Sequence, residues 1–445
     1  MKVLKFGGSS VADAQRIESV AKIVEAQSRT DKNIAVVFSA FGGVTDDLIR
    51  MSQLAAAQDK SYLSLCEKVK QRHVKAINDL SLGKNKNILQ FVETKFAELQ
   101  DLLHGVYLVR ELSARTLDFV CSHGELFSSK IIAHYFIAHG LKASFLNAAD
   151  LVKTDENFGA AKVDFVKTNK LIRAHFLSAK AIEVITGFIG STTKNEVTTL
   201  GRGGSDYTAA IFGAALQASE IQIWTDVDGV MTADPRKVRK AFSVATMTYE
   251  EAMEMSHFGA KVIHPPTIQP ALAKGIPLWI KNTFNPSAIG TLISTKSSDT
   301  SHMVKGISSI DAVALLTLQG SGMVGVAGIS ARLFGALSQA KINVILITQG
   351  SSEHTISFAV KPADAAIAKQ AIETAFELEI KVHQIEKVRV EENLCIVAVI
   401  GENMRNTPGI SGRLFQALGR NGISVVATAQ GSSELNISVV IPARD

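Results

Sequence analysis

Cysteine is scarce, with three in 445 residues, and Cys66, Cys121 and Cys395 lie far apart. No CxxC pair or Cys/His cluster occurs, which argues against a zinc site and against a disulfide framework. Scattered thiols suit a reducing cytosol. Long apolar runs are missing as well. None approaches the ~20 residues a membrane helix needs, so no membrane partner is expected. The N-terminus runs straight into a strand-like segment, MKVLKF. That leaves no room for a signal or transit peptide, and a cytoplasmic location is expected. No GxxxxGK[ST] is present, which excludes a Walker P-loop. Excess charge is small, a formal +5. It suits small anionic ligands and gives no reason to expect a nucleic-acid partner.

What is present is a globular composition, 46% hydrophobic and 20% charged, at a length that implies two to four domains. The first three hundred or so residues alternate strand-like and helix-like segments. VLKF (3–6), IAVVFSA (34–40), EVITGFIG (183–190), IQIWTDV (221–227) and PLWIKN (277–282) read as buried strands, the last closing the set. Such alternation predicts an α/β domain with a mostly parallel sheet. The stretch 45–140 is rich in helix formers and reads as a helical layer. Residues 292–305 read as a polar linker.

Beyond the linker the chain repeats itself. ISARLFGALSQAKINVILITQGSSEHTISFAV (329–360) aligns without a gap to ISGRLFQALGRNGISVVATAQGSSELNISVVI (410–441), with about half the positions identical. Each copy follows an apolar strand, AVALLTLQG (312–320) or LCIVAVIG (394–401). The first copy continues through a helix (364–376) and an expected strand, IKVHQIEKVRV (380–390), to give βαββαβ. The second stops at Asp445, before its second helix and last strand, so a piece of a longer protein is expected.

Four glycine-bearing turns follow apolar strands: FGGSS (6–10), FGG (41–43), GRGGSD (201–206) and DVDGV (226–230). Glycine lets backbone N–H groups close on a phosphate, and parallel strands deliver such turns to one sheet edge. Lys5 stands in an apolar strand two residues before Gly7 and Gly8. A buried lysine needs a partner or an anionic ligand, although an edge strand would also explain it. Arg202 can fork onto a carboxylate, and Asp206 can pair with a lysine or orient it. Glu125, in SHGE, could bind an ammonium group or be an ordinary surface acid. His123 and His264 stand near motifs and read as structural.

Taken together, KFGGSSVA, SAFGGVTDDL, SHGE, LGRGGSDYTAA, WTDVDGVMTADPR and FGAKVIHP resemble the aspartate kinases of the amino-acid kinase superfamily, in that family's order. The tandem repeat resembles the paired ACT domains of these kinases, most closely those in the kinase half of bifunctional aspartate kinase–homoserine dehydrogenases. The resemblance implies a carbamate kinase-like α/β catalytic domain over 1–292. It also implies α+β ACT domains over 306–390 and 391–445, the latter incomplete. It implies ATP with Mg2+ carried on the phosphates and no protein metal site. L-aspartate would be the acceptor, an amino acid such as threonine the feedback effector, and the ACT domains the route to a homodimer or larger homo-oligomer. By the same resemblance Lys5, Gly7, Gly8 and Ser9 would surround the transferring phosphoryl group. Ser39, Thr45, Glu125, Arg202 and Ser205 would hold aspartate, with Asp206 completing the reaction centre. Thr225, Asp226, Met231, Arg236 and Lys261 would serve the nucleotide, and Gln349 and Gln430 the effector. Met231 stands where many relatives carry an aromatic residue. A carboxylate nucleophile is already ionised at neutral pH, so cations matter here and a general base does not.

Acetylglutamate kinase, glutamate 5-kinase and uridylate kinase share the sheet and glycine turns, but the ACT-like pair and SHGE argue against them. An amino-acid-binding regulator with an inactive kinase part is the rival of a different class; intact Lys5, Arg202 and Asp206 argue against it.

Overall fold

The computed structural model describes residues 1–31, 33–259, 263–296, 302–350, 353–404, 406–431 and 435–445. The chain divides into two compact units. One comprises Met1–Met231, Ser243–Ala252 and Lys261–Ser298; the other comprises Thr232–Phe242, Met253–Ala260 and Asp299–Asp445.

The first unit is built on an eight-stranded sheet. In chain order its strands are β1 (Lys2–Phe6), β2 (Ile34–Phe38), β3 (Ala143–Leu146), β4 (Ile182–Thr186), β7 (Glu220–Thr225), β8 (Thr246–Thr248), β9 (Leu278–Asn282) and β10 (Thr291–Ser294). The hairpin strands β5 (Ile189–Ser191) and β6 (Val197–Thr199) form a separate small sheet. The spatial order is β3-β4-β2-β1-β7-β9-β10-β8, and every neighbouring pair is parallel except β9 with β10. β2 and β4 are buried along their whole length, which is why they read as unbroken apolar runs. The sheet continues past PLWIKN: Leu292–Ser294, expected as linker, belong to β10. Strands of three or four residues such as β8 and β10 are too short for a periodic signal.

Helices of this unit are α1 (Ala14–Thr30), α2 (Val44–Ala56), α3 (Ser61–Asp79), α4 (Lys86–Val109), α5 (Ala114–Ala138), α6 (Ala148–Leu151), α7 (Phe165–Ser178), α8 (Gly204–Leu216), the first residues of α9 (Tyr249–His257), and α10 (Pro265–Leu272). Asp13, Ser113 and Asp164 cap α1, α5 and α7 by accepting from backbone N–H groups three residues on. α2 to α5 form the expected helical layer and share one core with β1, β2 and β4, in which Phe96 stacks flat on Phe127 at 4.3 Å.

The second unit carries a six-stranded antiparallel sheet in the order β12-β13-β11-β14-β16-β15. Its strands are β11 (Gly306–Gln319), β12 (Leu346–Gln349), β13 (Thr355–Val360), β14 (Arg389–Ile400), β15 (Ala427–Gln430) and β16 (Asn436–Pro442). Its helices include α11 (Ile329–Gln339), α12 (Ala365–Ala375), α13 (Glu377–Lys381) and α14 (Ile410–Arg420). The expected strand over 380–390 is corrected. Its start lies in α13, where Lys381 pairs with Glu377 one turn back, and only Arg389 and Val390 are extended. Ile385 and Val388, which made the segment look strand-like, are buried from irregular backbone instead.

β14 runs through the expected boundary at 390/391, and the two long strands β11 and β14 each serve both repeats. Arg389–Glu391 of β14 pair with Thr317–Leu315 and complete the first repeat; Gly306–Ile310 of β11 pair with Ile400–Ile396 and complete the second. The last strand missing from the second copy is therefore supplied from upstream of the first. An irregularity between Ile310 and Val313 separates the two halves of β11. The second helix of that copy has no counterpart following β16. Accordingly α11 buries Ile329, Leu333 and Leu337, whereas α14 buries only Ile410.

Candidate active site

The site grows from the C-terminal ends of adjacent parallel strands, where each turn is stitched to the next. Gly7 N donates to Trp224 O (3.1 Å), Ser39 N to Phe6 O (3.2 Å), Gly42 N to Gly8 O (3.0 Å) and Gly187 N to Phe38 O (2.8 Å). A Cβ at Gly8 would lie 2.9 Å from Ala40 O, so only glycine lets these two turns meet.

Lys5 projects from β1 and is buried; its Nζ lies 2.6 Å from Asp206 Oδ1, in the first turn of α8. Asp206 Oδ1 has no aligned hydrogen bond, so the contact is an ion pair first of all. Gly203 precedes α8 in the left-handed region (φ 72°), and Ser205 is buried against Gly187. Arg202 is exposed on this turn, with neither an ion pair nor a hydrogen bond among the described residues. His264, at the start of α10, packs on Gly203, and burial together with Arg202 pushes its imidazole pKa down.

Glu125 comes from the middle of α5 and is buried. Its Oε1 accepts from Ala40 N at 3.2 Å, while Oε2 is buried without a partner. Burial pushes this carboxyl up to about 8, although the Ala40 N–H and the Lys5 charge pull the other way. Ser128, one turn further on, donates to Ser39 O at 2.8 Å. One helix thus holds the Ser39–Ala40 segment twice. Thr45 lies half-buried in the first turn of α2.

On the β7 side, Thr225 is half-buried and bonded to Asp226, and Met231 bridges to Ser243. Three partners there escaped the motif reading. Ser10 Oγ meets Thr283 Oγ1 at 2.7 Å, tying the first glycine turn to the end of β9, and Asp228 accepts from Asn282 and Asn285. Arg236 belongs to the other compact unit, where it is largely exposed and pairs with Asp234. Lys261 lies outside the described residues. Ser9 offers its carbonyl to Arg16. His123 is buried, with Nδ1 against Phe119 O, as a structural reading requires. Among the described residues no group of three or more His, Cys, Asp and Glu side chains could hold a metal ion. Nor is any described helix long and apolar enough to cross a membrane.

Gln349 and Gln430 end β12 and β15 and line two cavities of about 550 and 370 Å³. The internal repeat matches the linings residue for residue: Met323 with Met404, Ile329 with Ile410, Ser330 with Ser411, Ile356 with Ile437. Gly325 and Val326 of the first are Asn406 and Thr407 in the second. Ser351, Ser352 and Ser432–Glu434 of the QGSSE segments lie outside the described residues.

The amino acid kinase family model matches residues 1–282, and an ACT domain model matches 316–376 and 397–445. The chain is 38% identical to a chloroplastic bifunctional aspartokinase/homoserine dehydrogenase of Arabidopsis thaliana, over 100% of this chain and 49% of that one. It spans about half the length of the bifunctional relatives it matches. It is 34% identical to the chloroplastic aspartokinase 1 of the same plant, over 99% of this chain and 77% of the relative. The crystal structure of E. coli aspartokinase III with aspartate and ADP superimposes with a TM-score of 0.84 at 30% identity, covering 100% of this chain and 97% of that one. The chain belongs to the amino acid kinase family, as one of its aspartokinases.

Proposed function

We propose that this chain transfers the γ-phosphoryl group of ATP to the side-chain carboxylate of L-aspartate, giving ADP and 4-phospho-L-aspartate, the first step toward lysine, threonine and methionine. The observation that carries the reading is the buried Lys5–Asp206 ion pair where the glycine turns converge, next to the unpartnered Oε2 of Glu125. Lys5 would meet the negative charge of the transferring group, with Asp206 keeping its ammonium in place. Gly8 and Ser9 would meet the phosphates through backbone N–H groups, with Gly7, whose own N–H is bonded to Trp224 O, holding the turn open beside them. Arg202 would fork onto the α-carboxylate, Glu125 would receive the α-ammonium, and Ser39, Thr45 and Ser205 would line the acceptor pocket. Thr225, Asp226 and Met231 would serve the nucleotide, joined by Lys261. The tight glycine turns suit a phosphate chain. Magnesium would be held mainly by the phosphates, and when bound it supplies further charge neutralisation.

The second unit is read as a pair of ACT units that sense an amino acid. Gln349 and Gln430 occupy matched cavities, and a carboxamide both donates and accepts, which suits a small polar effector such as threonine. Self-association through these units, as a homodimer or larger, and a cytoplasmic location belong to the same reading. The test is ADP release dependent on aspartate, run beside acetylglutamate, glutamate and UMP as acceptors, with and without threonine or lysine. Absence of aspartate-dependent release sinks the kinase reading.

A further inference from the structure

Arg72 sits on α3, in the helical layer, and belongs to none of the motifs that mark the site. Its half-buried guanidinium forks onto two backbone carbonyls: Nη1 donates to Gly42 O at 2.8 Å and Nη2 to Ala12 O at 2.9 Å. These carbonyls lie in different turns, one after β1 and one after β2. The turns also meet directly, because Gly42 N donates to Gly8 O, and a Cβ on Gly42 would stand 3.1 Å from that oxygen. The next residue of α3, His73, lays its ring nearly parallel to buried Phe41, with centroids 4.9 Å apart and planes at 9°. α3 therefore grips the second turn through a ring and both turns through an arginine. Bonds from a guanidinium are charge-assisted, and the guanidinium stays charged at all working pH values.

We propose that Arg72 is a positioning residue for phosphoryl transfer, setting the separation of the glycine turn after β1 from the turn after β2. The inference rests on the kinase reading above, in which Gly7–Ser9 face the phosphoryl donor and Ser39 and Thr45 face the acceptor. In-line transfer requires the reacting atoms to approach to about 3–3.5 Å, and displacement by about 1 Å can cost 10²-fold. A residue that touches both turns and neither substrate controls that approach rather than the hold on either ligand. Lysine carries the charge but not the planar fork, so it can keep one carbonyl at a time.

The experiment compares Arg72→Leu, Arg72→Lys and Arg72→Ala in the full chain, with Lys75→Ala as a control, an exposed change on the same helix. Turnover should fall about 10²-fold in Arg72→Leu, while the KM values for ATP and aspartate stay within about threefold. Arg72→Lys should recover part of the loss, and guanidinium added below denaturing concentration should partly restore Arg72→Ala. Hydrogen exchange of peptides covering 7–13 and 41–45 should quicken in Arg72→Leu, with no substrate present. If Arg72→Leu does not fold, Arg72→Lys carries the same measurements. Unchanged turnover, or raised KM at unchanged turnover, overturns the proposal. If the wild type releases no ADP with aspartate, the kinase reading fails instead, and the exchange measurement still decides on the fork: unchanged exchange refutes it.

Discussion

Substituting glutamine for Glu125 tests how the acceptor is recognised. Its carboxyl is buried and pushed up to about 8, chiefly by burial. At pH 7 only about one molecule in ten then carries the charge that an incoming ammonium needs. Aspartate must select this minor form, so its apparent affinity should be about tenfold weaker at pH 7 than once the group is fully ionised. Binding should release about 0.9 proton per aspartate at pH 7, shrinking as pH passes 8. Titration calorimetry in buffers of different ionisation heat reads this number directly. In Glu125→Gln the release should vanish and the KM for aspartate rise, with that for ATP unmoved. The same shift predicts the stability of the free enzyme. The unfolded carboxyl loses its proton near 4.5 and the folded one near 8, so between these values the folded state binds more protons. Stability therefore declines as pH rises through that window and levels off above it. A wild type that releases no proton at pH 7, or a variant that releases as many, refutes the argument.

Lys5→Ala should reduce turnover on the order of 10²–10³ by removing a buried cation while ATP still binds, as steady-state kinetics and equilibrium dialysis would show. Arg202→Ala should raise the aspartate requirement far more than the ATP requirement; equal effects on both would mark Arg202 as scaffolding. Threonine titrated calorimetrically into wild type should bind, and binding should weaken in Gln349→Ala and Gln430→Ala; no binding, or binding untouched by both, removes threonine as effector. Phe96→Ala, which empties the flat stack on Phe127, should cost about 3–5 kcal/mol in urea unfolding, and a loss under about 1 kcal/mol would contradict the close packing described.

The parallel sheet was legible because strands buried on both faces read as apolar runs, and Lys5 stood out because it interrupts one of them. The glycine turns were legible for a related reason: close backbone approach leaves no other residue type. Ser128 and Arg72 left no such trace, since they act on carbonyl oxygens, and any residue can supply a carbonyl. Asp118 is similar. It accepts from Gly159 N, Thr199 N and Thr199 Oγ1 and so anchors β6 ahead of the Arg202 turn, yet in the sequence it is one acid among many. The boundary near 390 was misleading because β14 passes through it, and a repeat in sequence shows where the copies lie but not that they trade strands.

That trade makes assembly of the second unit depend on the order of synthesis. The segment Gly306–Ile310 leaves the ribosome well before Ile396–Ile400, its partner, exists. Until then it is an unpaired edge, the kind of surface that invites association between nascent chains. Its polar Ser308 and Ser309, with Asp311 just beyond, are suited to keep such an edge in solution. A chain cut between the repeats would strip the first of Arg389–Glu391 or leave the second without Gly306–Ile310, so the two copies should melt in a single transition rather than one after the other.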